Sequence, residues 1–309
     1  MNTILVTPRS LTQDGDPALE MLTRQGFELV FSTPGKTPPT AELIHLLPGC
    51  TGWLAGVEPI PAEVLEAAVD LKVISRNGTG VNNIDIQAAR RLNIKIMRAE
   101  GANAHGVAEL TLGVILGLIR SIPFSDARMK GGSWERRKGS ELQGRTLGLI
   151  GCGKIGQLTA QLALAFGMQV LAYDAFPDQR FAPAPDFRFT TLEEVFAASD
   201  IISFHCPEQP DGRAILDRAG LRRLKPGVFL VNTARASLID ETAVLEALHD
   251  GRVAGLALDV YDCEPPTATP LLSDVRVIAT PHIGGYTSES VSRATRAAVE
   301  NLLEFFKGV

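Results

Sequence analysis

Little in this chain marks a specialised environment. Only four of its 309 residues are cysteine, and Cys50, Cys152, Cys206 and Cys263 are scattered, with no paired spacing for zinc or a redox disulfide. Basic residues are not in excess: 30 Lys and Arg stand against 35 Asp and Glu, for a net charge of -5. That balance gives no electrostatic reason to expect nucleic acid or an anionic membrane as a partner. Long apolar runs are missing too. The longest mostly apolar stretch, 107–119, contains Glu109 and falls short of a membrane span. No basic start followed by an apolar segment and a small-residue cleavage site heads the chain, so a soluble, cytoplasmic protein is expected. Fixed short repeats and low-complexity tracts are also absent.

What is present is ordinary for a globular protein, with 45% hydrophobic and 21% charged residues. The length exceeds what one average core serves, so two domains are expected. Short runs rich in Val, Ile and Leu alternate with amphipathic stretches, the pattern of strand–helix units around a parallel sheet. A first series of strands is read at 2–7, 27–31, 52–55, 71–76 and 94–99, with helices such as 62–69 and 84–92 between them. A long helix follows over 103–120, with Pro123 soon after its end. A second series is read at 146–150, 169–174, 200–205, 228–233, 254–260 and 275–280, and 288–306 reads as one amphipathic helix. The Pro-rich patches 33–40 and 181–187 read as loops. The fold class expected is α/β, with two doubly wound parallel-sheet domains and a cleft between them.

The strand 146–150 runs into Gly151-Cys152-Gly153-Lys154-Ile155-Gly156 and then a helical pattern over 157–166. The first glycine permits a tight turn, the second lets a pyrophosphate approach the backbone, and the third lets helix and strand pack closely. Asp174 ends the next strand, about 20 residues beyond the glycines, where a carboxylate binds ribose hydroxyls of NAD. No arginine directly follows Asp174, which favours NAD over NADP, although Arg180 is close by.

Five further motifs lie just beyond the carboxyl ends of expected strands, where open α/β sheets build ligand sites. They are Asn77-Gly78-Thr79-Gly80, His205-Cys206-Pro207, Asn232-Thr233-Ala234-Arg235, the stretch from Asp259 to Glu264, and Pro281-His282-Ile283-Gly284-Gly285. Reducing a 2-oxo acid needs a cation for the carboxylate, a proton donor for the carbonyl oxygen and a placed nicotinamide. Arginine binds a carboxylate through two parallel hydrogen bonds, and histidine is the residue type that exchanges protons near neutral pH. A carboxylate beside the histidine would fix its ring. Arg235, His282 and Glu264 are the candidates. Each, taken singly, is more often a surface ion-pair partner, a glycine-shaped turn or a solvated loop residue. Their joint order at the strand ends is what points to chemistry.

In that order the chain resembles the D-2-hydroxyacid dehydrogenases over essentially its whole length, most densely at Gly151–Gly156, Lys225-Pro226-Gly227, Asn232–Arg235, Asp259–Glu264 and Pro281–Gly285. The resemblance implies Arg235 as substrate anchor, His282 as general acid/base and Glu264 as its orienting partner. It also implies Asp259 at the nicotinamide amide, and backbone groups of Asn77, Gly78 and Thr79 at the substrate carboxylate. The cofactor set it implies is Gly151, Gly153, Lys154, Ile155, Gly156, Asp174, Cys206, Pro207, Thr233, Ala234, Asp259, His282 and Gly284. The fold it implies is split: a substrate domain of residues 1–99 plus 287–309, and an inserted NAD-binding domain of residues 100–286 that also makes a homodimer contact.

Trp134-Glu135-Arg136 and the stretch Arg76–Val81 look most like 3-phosphoglycerate dehydrogenases, here as a short form ending before any C-terminal regulatory domain. The chain departs from the family pattern at Glu208-Gln209, Ala236 and Gly106. Substrates left open are glyoxylate, hydroxypyruvate, lactate-type acids and phosphorylated acids, with Arg76, Arg136 and Lys138 as candidate phosphate ligands or solvated charges. Glu264 stands where the related formate dehydrogenases have an amide. A second class also stays open: corepressor-like proteins that share the fold and sense NAD(H). His45, His105 and His249 are expected in surface or packing roles, and His205 in a structural or cofactor-lining one.

Overall fold

A computed structural model describes residues 2–308; Met1 and Val309, which the expected domain boundaries include, lie outside the described residues. In chain order the elements begin with β1 (Thr3–Val6), α1 (Arg9–Gln13), α2 (Leu19–Arg24), β2 (Glu28–Phe31), α3 (Thr40–Leu46) and β3 (Cys50–Ala55). Next come α4 (Ala62–Ala67), β4 (Val73–Arg76), α5 (Ile86–Arg91), β5 (Lys95–Arg98), α6 (Ala104–Ile119) and α7 (Ile122–Lys130). The chain continues through β6 (Thr146–Ile150), α8 (Lys154–Ala165), β7 (Gln169–Tyr173), β8 (Phe187–Phe189), α9 (Leu192–Ala198) and β9 (Ile201–Phe204). It closes with α10 (Arg218–Leu221), β10 (Val228–Asn232), a 3-10 turn (Ala236–Leu238), α11 (Glu241–His249), β11 (Val253–Leu258), β12 (Val277–Ala279) and α12 (Ser288–Lys307). Two compact units emerge: Met1–Asn103 with Thr287–Val309, and Ala104–Tyr286.

The first unit is a five-stranded parallel sheet in the order β2-β1-β3-β4-β5. Its central strands β3 and β4 are almost wholly buried, and the edge strands β2 and β5 are not. Burial on both faces is why β3 does not read as a polar–apolar alternation, while β4 encloses Ser75 and Arg76 at its end. One face packs Leu43, Leu47, Trp53, Val64, Leu65 and Ile74 together. The other receives α12, whose buried Ala298, Val299 and Leu302 meet Ile4, Val6, Leu54 and Val73. The Ser75 hydroxyl, within β4, donates to the Ala298 carbonyl of that helix at 2.8 Å.

The second unit is a seven-stranded parallel sheet in the order β12-β11-β10-β9-β6-β7-β8. Sequence order runs outward in both directions from the neighbours β6 and β9. Such a reversal opens a crevice beyond the carboxyl ends of the strands. The glycine loop follows β6, Asp174 follows β7, Cys206 and Pro207 follow β9, Arg235 follows β10, Glu264 follows β11 and His282 follows β12, so all six meet the same edge. Helix α6 buries Val114, Ile115, Leu118 and Ile119 in the core with Leu147, Leu149 and Val170.

Two elements differ from the expectation. The patch 181–187, expected as a loop, gives way at Phe187 to β8, a seventh strand where six were read. Phe187 is buried and packs edge-on between Phe181 and Phe189. Three residues behind two prolines carry too short an alternation to register as a strand. The second difference is α7, which starts from Ser121 in a left-handed conformation (φ 49°) and takes Pro123 into its first turn. Proline there gives up only an amide that has no helical partner anyway. Pro123 therefore marks a helix start as well as the preceding helix's end. Among the described residues no single helix is long and apolar enough to cross a membrane.

Candidate active site

The glycine loop fits a dinucleotide. Gly151 has φ 95°, and a Cβ there would lie 2.6 Å from the Cys206 amide nitrogen, so β6 and β9 pass too closely for any side chain. A Cβ on Gly156 would lie 2.4 Å from the Gly151 carbonyl oxygen, which fixes how α8 leaves the strand. A Cβ on Gly153 would meet no atom within 4 Å beyond its own neighbours in the chain, among the described residues. This is the open backbone approach that a pyrophosphate needs, at the first turn of a twelve-residue helix with no side-chain cap. Lys154 and Ile155 open that helix.

Asp174 ties the loop to the end of β7. Its Oδ2 accepts the Cys152 amide at 2.7 Å and its Oδ1 the Phe176 amide at 2.8 Å. Each carboxylate oxygen has room for a second donor, as ribose hydroxyls require. Arg180 is not drawn to this carboxylate: its Nε and Nη2 donate to Asp178 at 2.9 and 3.2 Å. Cys206 is half-buried and Pro207 exposed beyond β9. Thr233 pairs its hydroxyl with Thr111 of α6 at 3.2 Å. His205 bonds Ser203 Oγ through Nε2 at 2.9 Å, its Nδ1 is buried without a partner, and burial pushes its pKa down to about 3. It is a neutral group at neutral pH.

The expected catalytic residues come to one edge. His282 Nδ1 lies 2.9 and 2.8 Å from the two oxygens of Glu264. The His282 side chain is 53% exposed. With Nδ1 engaged, Nε2 is the nitrogen left to exchange a proton. Arg235 follows β10, whose last residue Asn232 braces it: the Asn232 amide donates to the Arg235 carbonyl at 2.7 Å, and its oxygen accepts the Ala234 amide at 3.1 Å. The guanidinium donates only to the Ala234 carbonyl, at 2.6 Å, and among the described residues has no ion-pair partner. The remaining guanidinium donors are left available.

Asp259 is 2% exposed and does more than its motif implied. Its Oδ1 accepts the Thr280 hydroxyl at 2.6 Å and the Ile283 amide at 2.8 Å, and its Oδ2 accepts the Gly284 amide at 2.8 Å. These bonds enclose His282, whose φ of 53° is a conformation that residues with side chains seldom adopt. Tyr261 was not singled out by the sequence. Its amide donates to Glu264 Oε1 at 3.2 Å and its hydroxyl to the Thr280 carbonyl at 2.8 Å, linking the two loops that carry the pair. The only available signal was its place inside the Asp259–Glu264 motif.

In the first unit, Asn77, Gly78 and Thr79 follow β4. Asn77 Nδ2 donates to Thr295 at 3.3 Å, its Oδ1 is buried without a partner, and Thr79 bonds Asn103 Oδ1 at 3.2 Å. Arg76 is no solvated charge. It is buried, donates through Nη1 to the Asn77 carbonyl at 2.6 Å and leaves Nε unpartnered. Arg136 and Lys138 are exposed.

Thiol reactivity gives a direct check on the crevice. Burial, with the Asp174 charge adding to it, pushes the Cys152 thiol up to about 12 and the Cys206 thiol up to about 11. Cys263 is exposed. Iodoacetamide near pH 8 is expected to modify Cys263 first and to leave Cys152 unmodified, since the thiolate is the reactive form. Peptide mapping that found Cys152 alkylated as fast as Cys263 would contradict the buried placement of the loop.

Residues 112–284 match the family described as D-isomer specific 2-hydroxyacid dehydrogenase, NAD binding domain. The chain is 42% identical over 250 residues to a hydroxypyruvate reductase of Thermotoga maritima, covering 79% of this chain and 81% of that protein. It is 38% identical over 268 residues to the D-3-phosphoglycerate dehydrogenase of Mycobacterium tuberculosis, covering 86% of this chain but 51% of the relative. It thus spans about half the length of the phosphoglycerate dehydrogenases it matches. Among solved structures, the TT0316 protein of Thermus thermophilus superposes with a TM-score of 0.87 at 37% identity, covering 99% of this chain and 97% of that one. With the glycine loop, the paired histidine and glutamate and the unpaired arginine on one sheet edge, the chain belongs to the D-isomer specific 2-hydroxyacid dehydrogenase family and is an NAD-dependent oxidoreductase.

Proposed function

We propose that the protein interconverts 3-phosphohydroxypyruvate and the matching D-2-hydroxy acid, with Arg235, Glu264 and His282 as its catalytic residues. The observation that carries the chemistry is the His282 ring, clamped at Nδ1 by Glu264 with Nε2 unengaged among the described residues. NAD, bound at Gly151, Gly153, Lys154, Ile155, Gly156 and Asp174 and lined by Cys206, Pro207, Thr233, Ala234, Asp259 and Gly284, exchanges the hydride with carbon two. Arg235 holds the substrate carboxylate through two hydrogen bonds, and the backbone of Asn77, Gly78 and Thr79 supplies further donors to it. His282 Nε2 delivers a proton to the carbonyl oxygen in reduction and takes it back in oxidation. Glu264 keeps Nδ1 protonated in both directions and offsets the charge of the imidazolium. With Arg180 engaged by Asp178, NADH is preferred to NADPH.

The phosphorylated substrate is favoured by Arg76, a buried cation with an unpartnered Nε beneath the Asn77–Thr79 loop. A second reading, reduction of hydroxypyruvate or glyoxylate, is favoured by the Thermotoga relative, which aligns over most of both chains. The protein works as a homodimer in the cytoplasm. Ile122, Met129 and Trp134 stand exposed on and just after α7, where a second copy would cover them. Its four free cysteines suit a reducing compartment. Sedimentation as a monomer at micromolar concentration would remove the dimer.

His282→Ala is expected to lower turnover about a thousandfold while leaving NADH affinity nearly unchanged. Similar turnover in variant and wild type would remove His282 from the mechanism. In an NADH-oxidation assay 3-phosphohydroxypyruvate should outperform hydroxypyruvate, glyoxylate and pyruvate. Arg76→Gln should lower kcat/KM for the phosphorylated acid about thirtyfold more than for hydroxypyruvate. Activity confined to unphosphorylated acids would keep the chemistry and replace the substrate. NADH binding with no turnover on any 2-oxo acid would favour a sensor.

A further inference from the structure

β3 and β4 pair in register with Ala55 opposite Arg76, so the residues after β3 and the last residue of β4 share one edge of the first sheet. Two opposite charges are buried there, Glu58 at 1% and Arg76 at 8% exposure. They are provided for very differently. Glu58 Oε1 accepts the Gly56 amide at 2.9 Å and the Thr7 hydroxyl, and that hydroxyl also receives Trp53 Nε1 at 2.9 Å. The Glu58 carbonyl accepts Asn83 Nδ2 at 2.7 Å, so the segment is held from both sides. Arg76, by contrast, makes one hydrogen bond to its own neighbour, and among the described residues pairs with no carboxylate. Its guanidinium lies so close under the loop that a Cβ on Gly78 would be 3.0 Å from Nη1.

A buried guanidinium without an ion pair is costly, and the cost falls when an opposite charge stands nearby. Burial pushes the Arg76 pKa down, and the Glu58 carboxylate pushes it back up. A direct ion pair would occupy the fork that an anion needs. We infer that Glu58 is a positioning residue acting through Arg76: a fixed buried charge, held out of ion-pair contact, that balances the guanidinium while leaving its donors to an anionic group of the substrate. This rests on the assignment of Arg76 above. Anion affinity at the loop is then set by the difference between the two charges.

The test compares wild type, Glu58→Gln, Glu58→Asp, Arg76→Gln and the Glu58→Gln/Arg76→Gln double variant. Thermal unfolding is followed against sodium sulfate, and KM is measured for the phosphorylated and the unphosphorylated acid. Glutamine keeps an acceptor for Gly56 and Thr7 but removes the charge. Sulfate should therefore bind Glu58→Gln about fivefold more tightly than wild type. KM for the phosphorylated acid should fall more than KM for the unphosphorylated one, with kcat less affected. Glu58→Asp should resemble wild type, and Arg76→Gln should abolish the sulfate effect. Equal sulfate stabilisation in wild type and Glu58→Gln, lost in Arg76→Gln, would overturn the role of Glu58 and leave that of Arg76. Sulfate stabilisation persisting in Arg76→Gln would overturn Arg76 itself. If Glu58→Gln alone does not fold, the double variant decides: recovery of folding supports the balance, and failure to recover contradicts it.

Discussion

A single buried carboxylate shapes the turn that carries His282. Asp259 directly follows β11 and gathers three donors, the Thr280 hydroxyl and the amides of Ile283 and Gly284. A carboxylate carries only acceptors, and burying one is tolerable only when donors converge on it. The chain after β12 therefore bends around Asp259, and the bend includes His282 in a left-handed conformation. Such a conformation persists where the surroundings over-determine it. Tyr261 adds a second tie between the same two loops, and Glu264 meets the imidazole at Nδ1. The paired histidine and glutamate are the product of a turn whose shape is dictated from beneath.

The remainder of the edge follows from sheet topology. Parallel strands send every carboxyl end to one side, so six loops from one seven-stranded sheet face the same crevice without any one of them being long. Close approach of β6 to β9 requires glycine at 151, close approach of α8 to the Gly151 carbonyl requires it at 156, and 153 is left open. The side chains of Asp174 and Asn232 accept hydrogen bonds from backbone amides of these loops, which helps hold the glycine loop and the Arg235 turn in place. The first unit buries an arginine and a glutamate at one edge of its sheet, Arg76 ending β4 and Glu58 following β3, with no ion pair between them among the described residues.

Much of this was legible in the sequence because the rules involved are local. Glycines between a strand and a helix, an aspartate at the next strand end, and buried strands that read as unbroken apolar runs all survive in a linear string. β8 did not, since three residues after Pro183 and Pro185 give no usable period. α7 did not, since Pro123 marks a helix stop and a helix start equally well. Arg76 read as either ligand or surface charge because charge alone says nothing of depth; its burial comes from ending a strand whose four residues are all enclosed. Asp259 and Tyr261 show a further reason for the gaps. Their partners sit on a different loop, 19 and 25 residues further along the chain, and no motif in the sequence ties the two positions together.

The central claim is that Asp259 acts through the geometry of His282. The direct measurement is steady-state turnover and NADH affinity of Asp259→Asn, His282→Ala and the double variant. If the claim holds, Asp259→Asn loses about a hundredfold in kcat with NADH affinity little changed, and adding it to His282→Ala costs almost nothing more. Losses that multiply in the double variant, or a fall in NADH affinity that accounts for the whole effect of Asp259→Asn, would contradict it.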